Sequence, residues 1–296
     1  MNRYSVSVLA ALLLIAPALA ADDLPRLEPK ARRLCALANR RIDESSGLAC
    51  GRRNPDAFWS HNDSGNPPRL HAFNARGDDL GTYRVMGARN YDWEDMASCT
   101  LDGKHLLLVG DTGGNVVDRE SLTVYVVPEP PAARKLAGRE HKVLGTQAIH
   151  FRFKDGMHDC EALAVDATSR TLYLVTKTTL GTTRVYELTW PTKADDTVHV
   201  ARPLAALPAI MVTAMDISTD GRRAVVVTYG DAIEFLRRPG ESWPAAFKRP
   251  HHILGLPRRI QGEAACYSRD AKALYLTSEK LPTPLWELPL DPRSAK

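Results

Sequence analysis

No long run of one charge occurs anywhere in these 296 residues. The 39 Lys and Arg stand against 35 Asp and Glu, a formal net charge of +4 spread along the chain. That balance gives no electrostatic reason to expect nucleic acid or an anionic membrane surface as partner. There is no C-x-x-C, and the five cysteines, Cys35, Cys50, Cys99, Cys160 and Cys266, are widely spaced, which disfavours a zinc site. Their odd number leaves at least one thiol free or paired between chains. Also missing are a long amphipathic helix pattern and any G-x-S-x-G, P-loop or H-E-x-x-H motif. These absences leave out helical bundles and the commonest nucleophile, phosphate-loop and zinc-hydrolase signatures.

One apolar run is present, from residue 8 to 19, behind a short start containing Arg3 and ahead of a small-residue Ala18-Leu19-Ala20 ending. It is shorter than a membrane span and has the layout of a secretory signal peptide, with cleavage expected after Ala20. The expected organisation is a signal peptide over 1–20, a linker over 21–32 and one domain over 33–291. The expected address is periplasmic or secreted, where disulfides are permitted, with no membrane span left after cleavage. Cys35 and Cys50 are an expected pair, on the reading that both lie at the same face.

Internal repetition sets the architecture. Residues 45–63, 93–111, 160–177, 212–229 and 262–279 each give an apolar strand, a polar turn and a second Val/Leu/Tyr-rich strand, a hairpin signature. Two further strand-like pieces follow most of them: 70–74 and 80–85, 124–128 and 148–153, 185–190 and 204–210, 233–238 and 252–256. The last repeat supplies 285–290 alone. A matching leftover piece at 34–42 precedes the first repeat. Four strands per repeat is the content of a propeller blade. The sequence therefore predicts an all-β fold, a five-bladed β-propeller with four strands per blade, in which the N-terminal strand completes the last blade and removes an open edge. A β-sandwich and a six-bladed ring are the competing folds.

Superposing the repeats aligns Ser46, Glu94, Glu161, Thr213 and Glu263 at the start of the innermost strands. Each carries a side-chain oxygen, and in a propeller they would surround the axis near one mouth. Carboxylates about 5 Å apart repel by roughly 3 kcal/mol per pair at an effective dielectric near 20. Such a cluster calls for raised pKa values or a cation, and hard oxygen donors without Cys or His favour Ca2+. Glu44, Asp92 and Asp159, two positions earlier in three repeats, add negative charge. Hairpin geometry would set Glu94 opposite Asp111 and Ser46 opposite His61, with Asp63, Lys177, Tyr229 and Glu279 nearby. His61, Asp63, Asp111 and Lys177 are thus the candidate catalytic residues. Asp63-Ser64-Gly65 and Asp111-Thr112-Gly113 look like paired aspartic-protease loops, but repetition explains them better.

The order Ser, Glu, Glu, Ser/Thr, Glu at the inner strand starts resembles the apyrase family of calcium-activated nucleotidases. The resemblance implies a five-bladed propeller with one central calcium ion and hydrolysis of nucleoside di- and triphosphates. It carries the ligand role onto Ser46, Glu94, Glu161, Thr213 and Glu263, and sets Asp63 near the phosphate site. Thr213 stands where the family has serine, and apart from Lys177 or Arg184 the family's phosphate-directed basic residues have no match. Around Ser46, His61, Trp93 and Gly262 the sequence also resembles uncharacterised exported bacterial propellers near esterase-like phytase domains.

Three functions follow as expectations. The first is an exported calcium-dependent phosphohydrolase acting on a small-molecule or phosphorylated substrate, an ester or anhydride, at the channel mouth. The second is a non-catalytic binding propeller with a structural ion, and the third a lactonase or glycosidase. Oligomeric state is not written in the sequence.

Overall fold

Short apolar runs separated by turns with glycine or aspartate fold as strands because each turn residue permits a reversal. The clearest case is Asp102-Gly103, with φ of 51° and 73°, the left-handed pair that a two-residue hairpin requires. A computed structural model of the chain describes residues 26–27, 30–114, 119–193 and 195–290. The expected signal peptide lies outside the described residues.

Strands β1 (Arg26–Leu27) and β2 (Arg32–Ala36) precede the repeats. The first repeat forms β3 (Ser45–Cys50), β4 (Ala57–Asn62), β5 (Arg69–Asn74) and β6 (Asp79–Val85). The second forms β7 (Trp93–Leu101), β8 (Lys104–Asp111), β9 (Leu122–Pro128), β10 (Glu140–Val143) and β11 (Gln147–Phe153). The third forms β12 (Cys160–Asp166), β13 (Thr171–Thr176), β14 (Thr183–Thr189) and β15 (Val198–Leu207). The fourth forms β16 (Val212–Ile217), β17 (Arg223–Thr228), β18 (Asp231–Leu236), the short helix α1 (Trp243–Ala246) and β19 (His252–Gly255). The last supplies β20 (Ala265–Tyr267), β21 (Ala273–Leu276) and β22 (Pro284–Pro289).

The fold is all-β and propeller-like. Sheet orders are β3-β4-β5-β6-β10, then β7-β8-β9-β11-β15-β14-β13-β12, then β16-β17-β18-β19-β1, then β20-β21-β22-β2. In the eight-stranded sheet the second and third repeats are joined through their outer strands, with β11 parallel to β15. The leftover N-terminal strand β2 pairs antiparallel with β22, Arg32 opposite Glu287. Two short strands add edges that repetition did not forecast. The stretch read as a linker contributes β1, parallel to β19, and the long interval between the second and third hairpins contributes β10, parallel to β6.

Apolar side chains gather in five clusters, each between consecutive groups of strands. One joins Trp59 and Leu70 to Trp93 and Met96; another joins Leu108 and Val124 to Leu163 and Tyr186. The third and fourth join Val175 to Phe235, and Val225 to Leu274. The fifth joins Leu48 and Phe58 to Ala264 and Leu285, so the last group packs on the first. The leading strands β3, β7, β12, β16 and β20 touch in succession, and β20 returns to β3. Their positions are buried throughout β3 and β16. Covered on both faces, they lack the strict apolar–polar alternation of a half-exposed strand.

The expected Cys35–Cys50 pair is not formed. Cys35 lies on β2, the outermost strand of the last sheet, whereas Cys50 ends β3 among the leading strands. Two strands, β21 and β22, separate β2 from β20, at about 4.8 Å per strand spacing. The sulfur near Cys50 is that of Cys266, 3.7 Å away.

Candidate functional site

Four of the five aligned oxygen-bearing residues sit where a leading strand carries an extra residue. Pairing registers shift between Ser45 and Gly47, Trp93 and Met96, Cys160 and Ala162, and Val212 and Ala214. Ser46, Glu94, Glu161 and Thr213 are therefore left without a cross-strand partner, and Glu263 lies just ahead of β20. A bulge twists the strand and re-aims its side chain out of the ladder. It also corrects the expected pairings by one residue: His61 faces Gly47 rather than Ser46, and Asp111 faces Trp93 rather than Glu94. Counting back along a regular hairpin misses the inserted residue.

The bulges bring carboxylates together. Oxygens of Asp63, Asp92 and Glu94 lie within 4.8 Å of one another, as do those of Glu94, Asp159 and Glu161, and those of Asp63, Glu263 and Glu279. Asp63 and Glu94 link the three groups into one cluster of seven acids. Two ammonium groups answer it. Lys177 Nζ is 3.0 Å from Glu161 and 5.5 Å from the Tyr229 ring centre, and Lys280 Nζ is 3.3 Å from Glu279. Tyr229 donates its hydroxyl to Glu263 Oε1 at 2.7 Å.

Burial and neighbouring charge hold five of these acids, Asp63, Glu94, Asp159, Glu161 and Glu263, above their ordinary range. Glu94 is raised well above it, by burial first and the Glu161 charge second. Burial lifts Glu161 to about 7 against the pull of Lys177, and Glu263 to about 8 against the Tyr229 hydrogen bond. Asp63, half-buried, rises to about 6 by burial, opposed by the Ser64 amide and assisted by Asp92. Lys177 is held above its usual value: burial works against its charge, and Glu161 outweighs burial.

The remaining sequence-selected residues take other positions. Ser46 Oγ donates to Glu94 O at 2.6 Å, and Thr213 Oγ1 to Gly262 O at 3.4 Å. Asp111 accepts the Asp92 amide at 3.0 Å and pairs with Arg119 at 3.0 Å, standing behind the Asp92 turn. His61 is fully buried, edge-on to Trp93, with Nδ1 at 3.1 Å from Asn62 O and burial lowering its pKa to about 4. The structure thus gathers Asp63 and Lys177 with Glu94, Glu161 and Glu263. His61 and Asp111 flank that cluster without joining the three acid groups.

No family model matches the chain, and no curated protein matches it. Among solved structures it is similar to a gluconolactonase of Xanthomonas campestris, at 15% identity and TM-score 0.47, covering 83% of this chain and 72% of that one. A nidogen/laminin complex gives 13% identity, TM-score 0.46, and coverage of 80% and 73%. At these scores neither bears on activity or partner.

Two further acids lie deeper. Asp95 is fully buried and accepts the amides of Met96 at 2.8 Å, Leu163 at 2.9 Å and Met215 at 2.9 Å, so one carboxylate engages β7, β12 and β16. Asp216 does the same for Ile217 and for Tyr267 of β20, both at 2.8 Å. The sequence signal was an acid inside the first strand of a hairpin, Asp95 in β7 and Asp216 in β16. At the opposite end Arg52 reaches from the first group to Ser98 Oγ at 3.0 Å and to Thr219 of the fourth.

The donor set fits a hard cation. Two oxygens on one calcium ion, each at 2.3–2.6 Å, stand at most about 5 Å apart, which the 4.8 Å groups satisfy. All are carboxylates, with no imidazole or thiolate among them. Gly113 presses on the same oxygens: a Cβ there would stand 2.1 Å from Glu94 Oε1 and 2.4 Å from Asp92 Oδ2. The cluster can therefore take up a divalent cation in exchange for protons, and Asp63 can accept a proton near neutral pH.

Proposed function

We propose that the chain is an exported five-bladed β-propeller, four strands to a blade and closed by β2, whose acidic mouth binds calcium and hydrolyses an ester or anhydride. The ring reading is supported by the five apolar clusters and by the return contact of β20 on β3. The observation that carries the site is the meeting of Glu94, Asp159 and Glu161 with Asp63, Glu263 and Glu279. Glu94, Glu161 and Glu263 would hold the ion, with the hydroxyls of Ser46 and Thr213 at the edge, and Asp63 would stay free of it as the base. A bound calcium supplies Lewis acidity to a substrate oxygen.

The chain's own groups divide the remaining work. Asp63, about 6 by burial, takes a proton from water, since a base titrating near the working pH transfers it most effectively. Lys177, fixed by Glu161 and Tyr229, offers positive charge to an oxyanion. Asp111 orients the Asp92 turn through its amide.

A small phosphorylated compound is one substrate class. Electrostatics favours a second, an uncharged lactone or ester: seven carboxylates face two lysines, each already paired. The test is an assay of nucleotides, phytate and aldonolactones with calcium and with chelator. Turnover restored by calcium supports the proposal and names the class. Calcium-loaded protein that turns over none of them leaves the ion structural and the propeller a binding module. Absence of calcium binding removes the site.

A further inference from the structure

The ring contact between β3 and β20 differs from the others in one respect. The other successive groups follow one another along the chain, whereas the last group reaches the first through β2, which runs on into β3 but is held to β22 by strand pairing alone. At this seam Cys50 Sγ and Cys266 Sγ lie 3.7 Å apart, 216 positions apart in sequence. Both are buried, at 6% and 1% exposure, in the cluster with Leu48, Phe58 and Ala264. Cys50 Sγ also lies 3.1 Å from Tyr267 O. No other two cysteine sulfurs among the described residues come within hydrogen-bonding distance; Cys35 packs against the edge of the same cluster from β2, and Cys99 and Cys160 lie in another.

We propose that Cys50 and Cys266 are joined by a disulfide that fastens the last strand group to the first. The sulfurs need approach by less than 2 Å to reach the bonding distance of about 2.05 Å, within reach of side-chain rotation between adjacent strands. The oxidant is a small-molecule disulfide. One cysteine thiolate attacks it, releasing one thiol and leaving a mixed disulfide; the second attacks the protein sulfur of that mixed disulfide, forming the Cys50–Cys266 bond and releasing the other thiol. Two protein thiols lose two protons and two electrons, and the reagent's sulfur–sulfur bond takes them up. Burial in the finished ring slows both attacks, so the bond forms as the ring closes and then resists reduction. The odd cysteine count is thereby resolved as one bridge and three thiols.

The experiment folds the full chain in a reduced/oxidised glutathione buffer, alkylates it under denaturing conditions and maps its peptides without reduction. The expected result is a Cys50–Cys266 cross-linked peptide, with alkylated cysteines falling from five to three. Reduction is expected to lower the melting temperature by about 5–10 °C in the native sequence and in Cys35→Ser, and to leave Cys50→Ser unmoved. Five alkylated cysteines, or Cys50 linked to any other partner, overturns the proposal.

Discussion

Ser46 Oγ donates to the main-chain oxygen of Glu94 across 2.6 Å, both residues being buried. The bond crosses from one leading strand to the next and has counterparts around the fold. Ser98 donates to Cys50 O at 2.7 Å and Thr112 to Cys160 O at 2.7 Å. Hydroxyls at these positions lace neighbouring strand groups together, which ladder bonds within each sheet do not do. Having donated its proton, Ser46 Oγ keeps two lone pairs, so this structural role is compatible with the proposed ligand role.

Ser46→Ala is expected to destabilise the protein by about 1–2 kcal/mol, because a buried carbonyl loses its partner. Urea unfolding of the calcium-free protein measures this. A change below a few tenths of a kcal/mol would show that the laced bonds carry no net stability.

Asp95 serves three strands with one carboxylate. Asp95→Ala leaves the amides of Met96, Leu163 and Met215 buried and unpaired, and a loss of at least about 3 kcal/mol is expected. Asp95→Asn keeps one acceptor oxygen and should lose less. Guanidinium titration of the pair decides it: equal stability of the alanine variant and the native protein would remove the linking role.

How far the sequence revealed this arrangement depended on the kind of signal. Hairpins were legible because strand and turn chemistry are local, as at Asp102-Gly103. Alignment of Glu94, Glu161 and Glu263 was legible because repetition brings equivalent residues to equivalent places. The bulges were not, since an inserted residue leaves composition unchanged and only shifts a register; hence His61 faces Gly47. Cys266 beside Cys50 was hidden as well, because their contact exists only once the last group of strands reaches the first.

Gly113 tests the packing of the acid cluster from outside it. An alanine Cβ would stand 2.1 Å from Glu94 Oε1 and 2.4 Å from Asp92 Oδ2, closer than atoms approach. Gly113→Ala should therefore displace both carboxylates and weaken calcium binding at least tenfold, read by isothermal titration. Overpacking of this sort costs about 1–3 kcal/mol in stability, so the fold is expected to survive. Unchanged affinity would mean that Glu94 does not hold the ion.

The raised acids give stability a distinctive pH dependence. Asp63 moves from an ordinary 3.8 to about 6, Glu161 from 4.5 to about 7 and Glu263 from 4.5 to about 8. A carboxyl raised on folding favours the protonated native state, so its contribution is complete below the unfolded value. It is lost as pH climbs through the folded value. With chelator present, the melting temperature is expected to fall between about pH 4 and pH 8, through these groups. Calcium acts in the opposite sense, since it binds deprotonated oxygens and displaces the protons. The increment that calcium adds to the melting temperature should therefore grow across the same interval. Proton release on calcium addition, followed in weak buffer near pH 7, checks the exchange directly. A calcium increment that is constant from pH 5 to pH 8 would separate the ion from these carboxyls.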